Sequence, residues 1–358
     1  MKVGIVGLPN AGKSTLFNAL TGAGAETADY PFTTIHPNVA VVAVPDERLQ
    51  AVADVAGSPR AVPETIRFHD IAGLVRGASE GEGLGNRFLA AIRETDAICH
   101  VVRCHDAPGV PHPEGRIDPV ADAELVETEL LAADLEQAEG RLERVAKLAR
   151  SGDRGAIAER GWLADVVAAL GAGQPVREVP VPDAAAGASE RLQALTSKPV
   201  LYVANVAEGT DAAPPELAAY AQARDALTLA VSARIEADLG EIDDAAEAAE
   251  LRAELGIPEA GLDRVIEASR RLLDLITFFT AAGGTEATAR AMRRGGTTWE
   301  AAGSVHTDIQ ARFVRAEVID WRVLVEAGGF AGARERGLLR VEGRDYPVAD
   351  GEVVTIRF

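Results

Sequence analysis

Cysteine is nearly missing from this chain. Cys99 and Cys104 are the only two among 358 residues, too few for a disulfide framework or a cysteine-built zinc site. Both lie in or just after the apolar run 97–102, where a free thiol reads as a small packing group rather than a redox group. A reducing compartment is the simplest setting. Long apolar runs are also lacking, and none approaches the roughly 20 residues of a membrane-spanning helix. With a strand-like run already under way at residue 2, the expectation is a soluble, cytoplasmic chain with no leader and no membrane partner. Positive charge is short as well: 36 Lys and Arg against 55 Asp and Glu give a net charge of −19. That argues against broad attraction to a nucleic-acid backbone and against DNA as a partner. The deficit is uneven, because residues from Thr277 onward carry eleven Arg and eleven Asp or Glu, whereas those before carry 25 basic and 44 acidic groups. A composition break therefore falls near residue 275. The hydrophobic share, 47 %, is ample for real cores, and a chain this long divides into two or three domains.

Gly7-Leu8-Pro9-Asn10-Ala11-Gly12-Lys13-Ser14 follows the apolar run 3–6 and precedes a helix-like stretch at 15–20. It is a P-loop in its strand-loop-helix context. The backbone of Asn10, Ala11, Gly12, Lys13, Ser14 and Thr15 is expected to turn N–H groups onto phosphate oxygens. Lys13 adds a mobile positive charge for the terminal phosphates, and the Ser14 hydroxyl is placed for Mg²⁺. Asp70-Ile71-Ala72-Gly73 follows a second strand-like run at 65–69. Its carboxylate can hold a water of Mg²⁺, and the Gly73 N–H can approach a γ-phosphate with no side chain in the way. Between the two motifs, Tyr30 to Asn38 includes Thr33 and Thr34. Thr34 is the expected second metal ligand, engaged only with a triphosphate present, so that the loop acts as a switch; an ordinary polar loop is the plain alternative.

Further apolar runs at 39–44, 97–102, 200–204 and 227–231 alternate with helical patterns, which predicts a doubly wound, mostly parallel α/β domain. Residues 122–198 interrupt it. There Leu131, Leu135, Ala138, Leu142, Val145 and Ala149 step by four and three, a heptad seam of about three repeats. A Gly-rich break at 151–155 and a second helical stretch at 156–170 make this a helical hairpin, either projecting or packed on the domain. Three prolines in 174–183 suggest a stiff return. The last part combines helix-like 299–303 and 321–327 with hairpin signals at 338–341, 346–348 and 353–358 around an Asp350-Gly351 turn, a compact α+β module.

The wording of these motifs resembles one family. G-L-P-N-A-G-K-S-T-L-F-N-A-L, Y-P-F-T-T-I-H-P-N, D-I-A-G-L-V-R-G-A-S-E-G-E-G-L-G-N-R-F-L and I-R-E-T-D-A-I-C-H-V-V-R-C are similar to the translation-factor-class G domains of the Obg superfamily, and within it to the YchF (Obg-like ATPase) subfamily. V-H-T-D-I-Q-A-R-F-V-R-A-E-V-I and E-G-R-D-Y-P-V-A-D-G-E-V-V resemble that subfamily's TGS domain, a ubiquitin-like β-grasp module. The resemblance spans residues 2–358. It implies a P-loop G domain at 1–121 and 199–275, a helical coiled-coil hairpin insertion at 122–198, and a TGS domain at 276–358.

In a GTPase the loop after the fifth strand reads Asn-Lys-x-Asp, whose aspartate takes two hydrogen bonds from guanine. Here the loop is Asn205-Val206-Ala207-Glu208: the lysine is absent and the carboxylate sits one methylene farther out. A carboxylate on the guanine edge also repels adenine N1, so relaxing it removes a penalty against ATP. The subfamily's preference for ATP agrees. By resemblance Asn205 and the Val206 backbone border the base, and Ser232-Ala233-Arg234 is the last base-contacting loop. His105 stands where the family usually has phenylalanine, either walling the base pocket with a smaller, titratable ring or facing solvent.

Leu74 follows D-x-x-G where Ras-like enzymes place the glutamine that orients water, and a hydrocarbon cannot do that. By position, His112 in the loop 109–115 matches a histidine implicated in hydrolysis by the subfamily, and as a neutral imidazole it can orient water if the loop closes over the site; an exposed loop histidine is the alternative. Asn10 resembles the asparagine that ligates K⁺ in potassium-stimulated relatives, which adds K⁺ to Mg²⁺ as an expected cofactor. Gly77, Gly81, Gly83 and Gly85 give the second switch freedom to remodel.

The leading expectation is a Mg²⁺-dependent ATPase switch, preferring ATP over GTP, with the ribosome as partner by resemblance and a translation-related or stress-regulatory role. Arg290, Arg293 and Arg294 form a basic cluster able to touch RNA, or simply a helix end favoured by the dipole. Three alternatives stay open: an Obg-type GTPase in ribosome assembly, a nucleotide-dependent binding protein with vestigial hydrolysis, and a P-loop kinase, against which the Thr33-Thr34 loop and D-x-x-G count.

Overall fold

The computed structural model describes residues 1–25, 38–71, 84–242, 244–255, 257, 260–281 and 285–358, without the side chains of 23–25, 84–87 and 245. Its strands are β1 Lys2–Val6, β2 Val39–Ala43, β3 Ala61–Val62, β4 Thr65–Asp70, β5 Ala97–Arg103, β6 Val200–Asn205, β7 Leu227–Val231, β8 Leu275–Thr280, β9 Ala287–Arg293, β10 Arg315–Asp320, β11 Arg340–Glu342 and β12 Glu352–Arg357. Its helices include α1 Lys13–Ala25, α2 Glu47–Ala56, α3 Leu84–Arg93, α4 Pro119–Ala149 and α5 Arg154–Gly171, and further helices complete the cores. The chain divides into two compact units, residues 1–42 with 67–272, and residues 43–66 with 273–358. Among the described residues no helix is long and apolar enough to cross a membrane.

The first unit is built on a sheet of order β2-β4-β1-β5-β6-β7. β1 pairs in parallel with β4 and β5, and β5, β6 and β7 continue in parallel. Parallel strands are covered on both faces and so need unbroken apolar sequence rather than alternation. β5 and β6 meet that demand at every position, whereas β7 begins exposed at Leu227, as an edge strand does. Phe88, Leu89 and Ile92 of α3 and Val126 and Leu130 of α4 close one side of this core.

α4 is one continuous helix of 31 residues, opened by Pro119 and by the Asp118 carboxylate, which accepts from the Ala121 N–H. Its seam packs as the heptad spacing predicts: Ala138 and Val145 meet Trp162, Leu163, Val166 and Leu170 of α5, with Leu131, Leu135 and Leu142 at the margin. Arg141 and Arg191 both bind the Glu159 carboxylate, at 2.6 Å each. The return segment is not a bare proline linker. It carries short turns at Val176–Glu178 and Asp183–Ala185 and buries Val176, Ala185, Ala188 and Leu192 against the hairpin. Asp134, fully buried, fixes its end by accepting from the N–H groups of Leu195 and Thr196 and from the Thr196 hydroxyl.

His100 sits in the middle of β5, 4 % exposed, its ring 5.3 Å from that of Tyr202 and its Nε2 without a partner. Burial pushes its pKa from 6.5 down to about 4. The unfolded chain therefore takes up this proton first as pH falls, and the stability that His100 contributes above pH 6.5 is lost on the way to pH 4. Denaturant melts should lose about 2 kcal/mol from this group between pH 7 and pH 5. His100→Phe, which removes the titration, should show a curve flatter by that amount. Equal curves for the two proteins would refute the assignment.

The second unit has a sheet of order β11-β10-β12-β8-β9-β3. β10 runs antiparallel to both β11 and β12, β8 and β9 form an antiparallel pair, and β12 and β8 meet in parallel. The Asp350-Gly351 turn is present, and Asp350 accepts from the Thr277 N–H. Tyr346 to Val348, read from sequence as a strand, supplies only a bridge from Pro347 to Thr297. Residues 43–66, placed by sequence within the nucleotide domain, pack here instead. Leu49, Val52 and Ala53 of α2 join Phe279, Ile319, Leu324 and Val353 in one core, and β3 pairs in parallel with β9. Arg290 and Arg293 lie on β9, and Arg294 follows it, so the basic cluster is on a strand and not at a helix end.

Candidate functional site

β1 delivers the chain into the loop at Gly7. A Cβ there would lie 2.3 Å from the Val101 carbonyl of β5, so the turn can pass beside the sheet only without a side chain. Asn10 takes the left-handed region at φ 63°, which asparagine tolerates better than most residues. At Gly12, φ is +97° and a Cβ would stand 2.2 Å from the Asn205 side-chain nitrogen. α1 starts at the next residue and aims its N-terminal N–H groups into the loop. Lys13 is buried and donates to the Leu8 carbonyl at 2.8 Å, curling back over its own loop. Burial lowers its pKa, and the Asp70 carboxylate pulls it back up.

Asp70 reaches the same place through sheet register. Parallel pairing sets Ile5 opposite Asp70, one residue before β1 ends, so the last residue of β4 arrives beside the loop that follows Val6. The Ser14 hydroxyl lies 3.4 Å from Asp70 Oδ2, and Asp70 Oδ1 is buried with no partner among the described residues. A buried carboxylate oxygen without a donor is a costly arrangement for a protein to keep on its own. Together with an adjacent hydroxyl, this oxygen set suits a hard divalent cation that retains part of its water. Thr34 and Gly73 lie outside the described residues, as do Leu74, Gly77, Gly81 and Gly83.

Asn205 ends β6 with both ends of its amide engaged. Its nitrogen donates to the Ala11 carbonyl at 3.0 Å, and its oxygen accepts from the Ala233 N–H at 3.1 Å. The asparagine thus ties the phosphate loop to the loop Ser232-Ala233, while Val206 bonds through its N–H to the Val231 carbonyl. Glu208 is exposed, and Ser232 is half-buried. The resemblance puts Asn205 at the border of the base, and in this structure its amide joins the two loops.

The loop after β5 is held by two residues to which the sequence alone assigns no role. Arg103, buried, donates to the carbonyls of His105 and Val110. Asp122 receives His112: His112 Nε2 and Asp122 Oδ2 are 2.8 Å apart, and both side chains are buried. The Glu114 N–H donates to His112 Nδ1, which must therefore present a lone pair and leave the proton on Nε2. Both ring nitrogens are occupied, so this histidine orients a water only after the Asp122 contact opens. The Asn10 side-chain nitrogen donates to the Pro111 carbonyl at 3.0 Å, which joins the phosphate loop to the segment bearing His112. His105 is half-buried, its Nδ1 3.0 Å from the Asp106 carbonyl. For Asp122 a charged residue in the first turn of a helix is the sole hint in the sequence, whereas Arg103 lies near the end of the family-like run 92–104.

Comparison with known proteins places this arrangement. A family model described as a 50S ribosome-binding GTPase matches residues 2–132, and a model of the C-terminal domain of YchF GTPases, described as a protein of unknown function, matches residues 275–358. The ribosome-binding ATPase YchF of Bacillus subtilis is 45 % identical over 364 residues, covering 100 % of this chain and 99 % of the relative. Its namesake in Haemophilus ducreyi is 47 % identical over 360 residues, with the same coverage. The solved structure of the Schizosaccharomyces pombe YchF GTPase superposes with a TM-score of 0.87 at 32 % identity, covering 100 % of this chain and 97 % of that one.

Proposed function

The chain belongs to the YchF family of P-loop NTPases, and from that premise we propose that it is a ribosome-associated ATPase switch that hydrolyses ATP in preference to GTP. The observation that carries the choice of base is the loop Asn205-Val206-Ala207-Glu208. It has no lysine and no aspartate, its glutamate is exposed, and its asparagine is spent on Ala11 and Ala233. Without a carboxylate fixed on the guanine edge, adenine meets no repulsion at N1. The Val206 backbone and Ser232-Ala233 border the base in this reading.

The phosphates lie against the backbone of residues 10–15. Lys13 exchanges the Leu8 carbonyl for phosphate oxygens, and the Gly73 N–H meets the γ-phosphate. Ser14, Asp70 and Thr34 would hold Mg²⁺, which would supply charge neutralisation for the terminal phosphates. Asn10 is the proposed ligand for K⁺ through its side-chain oxygen, since its nitrogen serves Pro111. His112, released from Asp122, orients the attacking water; until then turnover is slow, because positioning provides most of the catalysis in phosphoryl transfer. The C-terminal unit is read as a TGS module, and the protein as cytoplasmic. Arg294 is paired with Asp274 and Arg290 donates to the Ser304 carbonyl, so the cluster on β9 is a weak RNA contact.

Equilibrium titration tests the base. ATP should bind at least about tenfold tighter than GTP, and a tenfold preference for GTP would overturn this reading in favour of an Obg-type GTPase. Co-sedimentation with ribosomes tests the switch: binding should differ between ATP, ADP and a non-hydrolysable analogue, and indifference to nucleotide would exclude it.

A further inference from the structure

The far end of the α4–α5 hairpin gathers positive charge that forms no ion pair among the described residues. Arg144 and Lys147 in the last turns of α4, Arg150 at its C-terminal cap, Arg154 at the first position of α5 and Arg160 are all exposed. Arg144 reaches the Gly140 carbonyl. Among the described residues Lys147, Arg150, Arg154 and Arg160 have no ion pair. Five carboxylates lie within five residues of them. Glu159 is taken by Arg141 and Arg191, Asp153 is the N-cap of α5 and accepts from the Ala156 N–H, and Glu139, Glu143 and Asp165 are exposed and form no ion pair with these cations. Five cations therefore gather at one end of a chain whose net charge is −19.

Helix dipoles do not account for this. They favour Lys147 and Arg150, which lie at the C-terminus of α4, but they disfavour Arg154, which sits at the positive N-terminus of α5. The fold thus tolerates a cation where acid is preferred. Leu148 is 63 % exposed and Ile157 42 %, two separate apolar side chains rather than a groove, so contact here is electrostatic. Four of the five cations are arginines, whose planar forks match phosphate oxygens in pairs.

We propose that this hairpin tip is an RNA-binding surface that engages the phosphate backbone of ribosomal RNA. The proposal rests on the ribosome reading and names the surface that would serve it. At 1.5 Å per residue, the 31 residues of α4 put the tip about 45 Å from the Asp118 end of the helix, where the His112 loop lies. Changes at the tip therefore leave the nucleotide site intact.

The test uses the full chain carrying Lys147→Glu, Arg150→Glu and Arg154→Glu, beside a charge-conserving variant with Lys147→Arg, Arg150→Lys and Arg154→Lys. Ribosome affinity of the charge-reversed protein should fall at least about tenfold near 150 mM salt, and the slope of log affinity against log salt should shrink by about 2 to 3. The conserving variant should bind as the parent does. ATP hydrolysis without ribosomes should be unchanged in both, and both should remain folded by circular dichroism. Protein-free ribosomal RNA should compete with ribosomes for the parent and not for the charge-reversed protein. Undiminished ribosome binding by the charge-reversed variant overturns the proposal, as does a loss that free RNA fails to compete, which would mark an acidic protein as the partner. If the parent itself does not bind ribosomes, the ribosome reading fails. The tip is then judged by filter binding to free ribosomal RNA, where equal retention of parent and charge-reversed protein refutes it.

Discussion

Gly12→Ala should lower ATP affinity by about 100-fold or more, equivalent to roughly 2.7 kcal/mol. Two independent obstacles combine at this position. The backbone sits at φ +97°, where a side chain is strained, and the new Cβ would be 2.2 Å from Asn205 Nδ2. Asn205 has no room to retreat, because it is buried and its amide is held at both ends by Ala11 and Ala233. Relief must therefore come from the loop, and the N–H groups that bind phosphate move with it. Isothermal titration with ATP reads the loss. Gly22→Ala is the matched control, since a Cβ there meets nothing closer than the Gly240 carbonyl at 3.7 Å. It should bind ATP normally and gain about 0.5–1 kcal/mol of stability, the usual benefit of alanine over glycine within a helix. ATP affinity in Gly12→Ala within threefold of the parent would contradict the geometry.

Asp134→Ala should cost about 3–5 kcal/mol of folding stability. The carboxylate is fully buried and accepts from three donors, the N–H groups of Leu195 and Thr196 and the Thr196 hydroxyl. Each donor stranded in the interior costs about 1–3 kcal/mol, with part recovered by relaxation. The damage does not stop there, because the Thr196 oxygen also accepts from the Val176 N–H, so the turn at Val176–Glu178 loses its anchor too. Asp134→Asn keeps an acceptor and should lose less, about 1–2 kcal/mol. Urea denaturation of the three proteins gives the ranking. If alanine and asparagine prove equally mild, the carboxylate is not what ties the return segment to α4.

The features legible from sequence are those whose physics is local. The phosphate loop could be read because its glycines, lysine and serine must stand in one order in a single turn, between a strand and a helix. The inner strands β5 and β6 could be read because a parallel strand buried on both faces is apolar throughout. The seam of α4 was visible as a spacing, and Trp162, Leu163 and Val166 cover it as the spacing required. β9 was harder, since Ala287–Arg293 reads Ala-Thr-Ala-Arg-Ala-Met-Arg, with little β-propensity; pairing with β8 makes it a strand. Residues 43–66 look like a strand-helix continuation of the nucleotide domain, and no local signal reveals that α2 covers Phe279 and Val353.

The site divides along the same line. Sequence alone determined which atoms are offered to a nucleotide: the loop at 7–14, the carboxylate of Asp70, and a base loop without aspartate. Only the tertiary structure decided how those atoms are held. It gave the Asn205 amide to Ala11 and Ala233, it set Asp70 beside Ser14 through the register of β1 and β4, and it locked His112 between Glu114 and Asp122. The reason is that a motif is a property of neighbours along the chain, whereas a hydrogen bond between Asn205 and Ala11 joins residues 194 apart. Only the packing of the whole sheet brings them together.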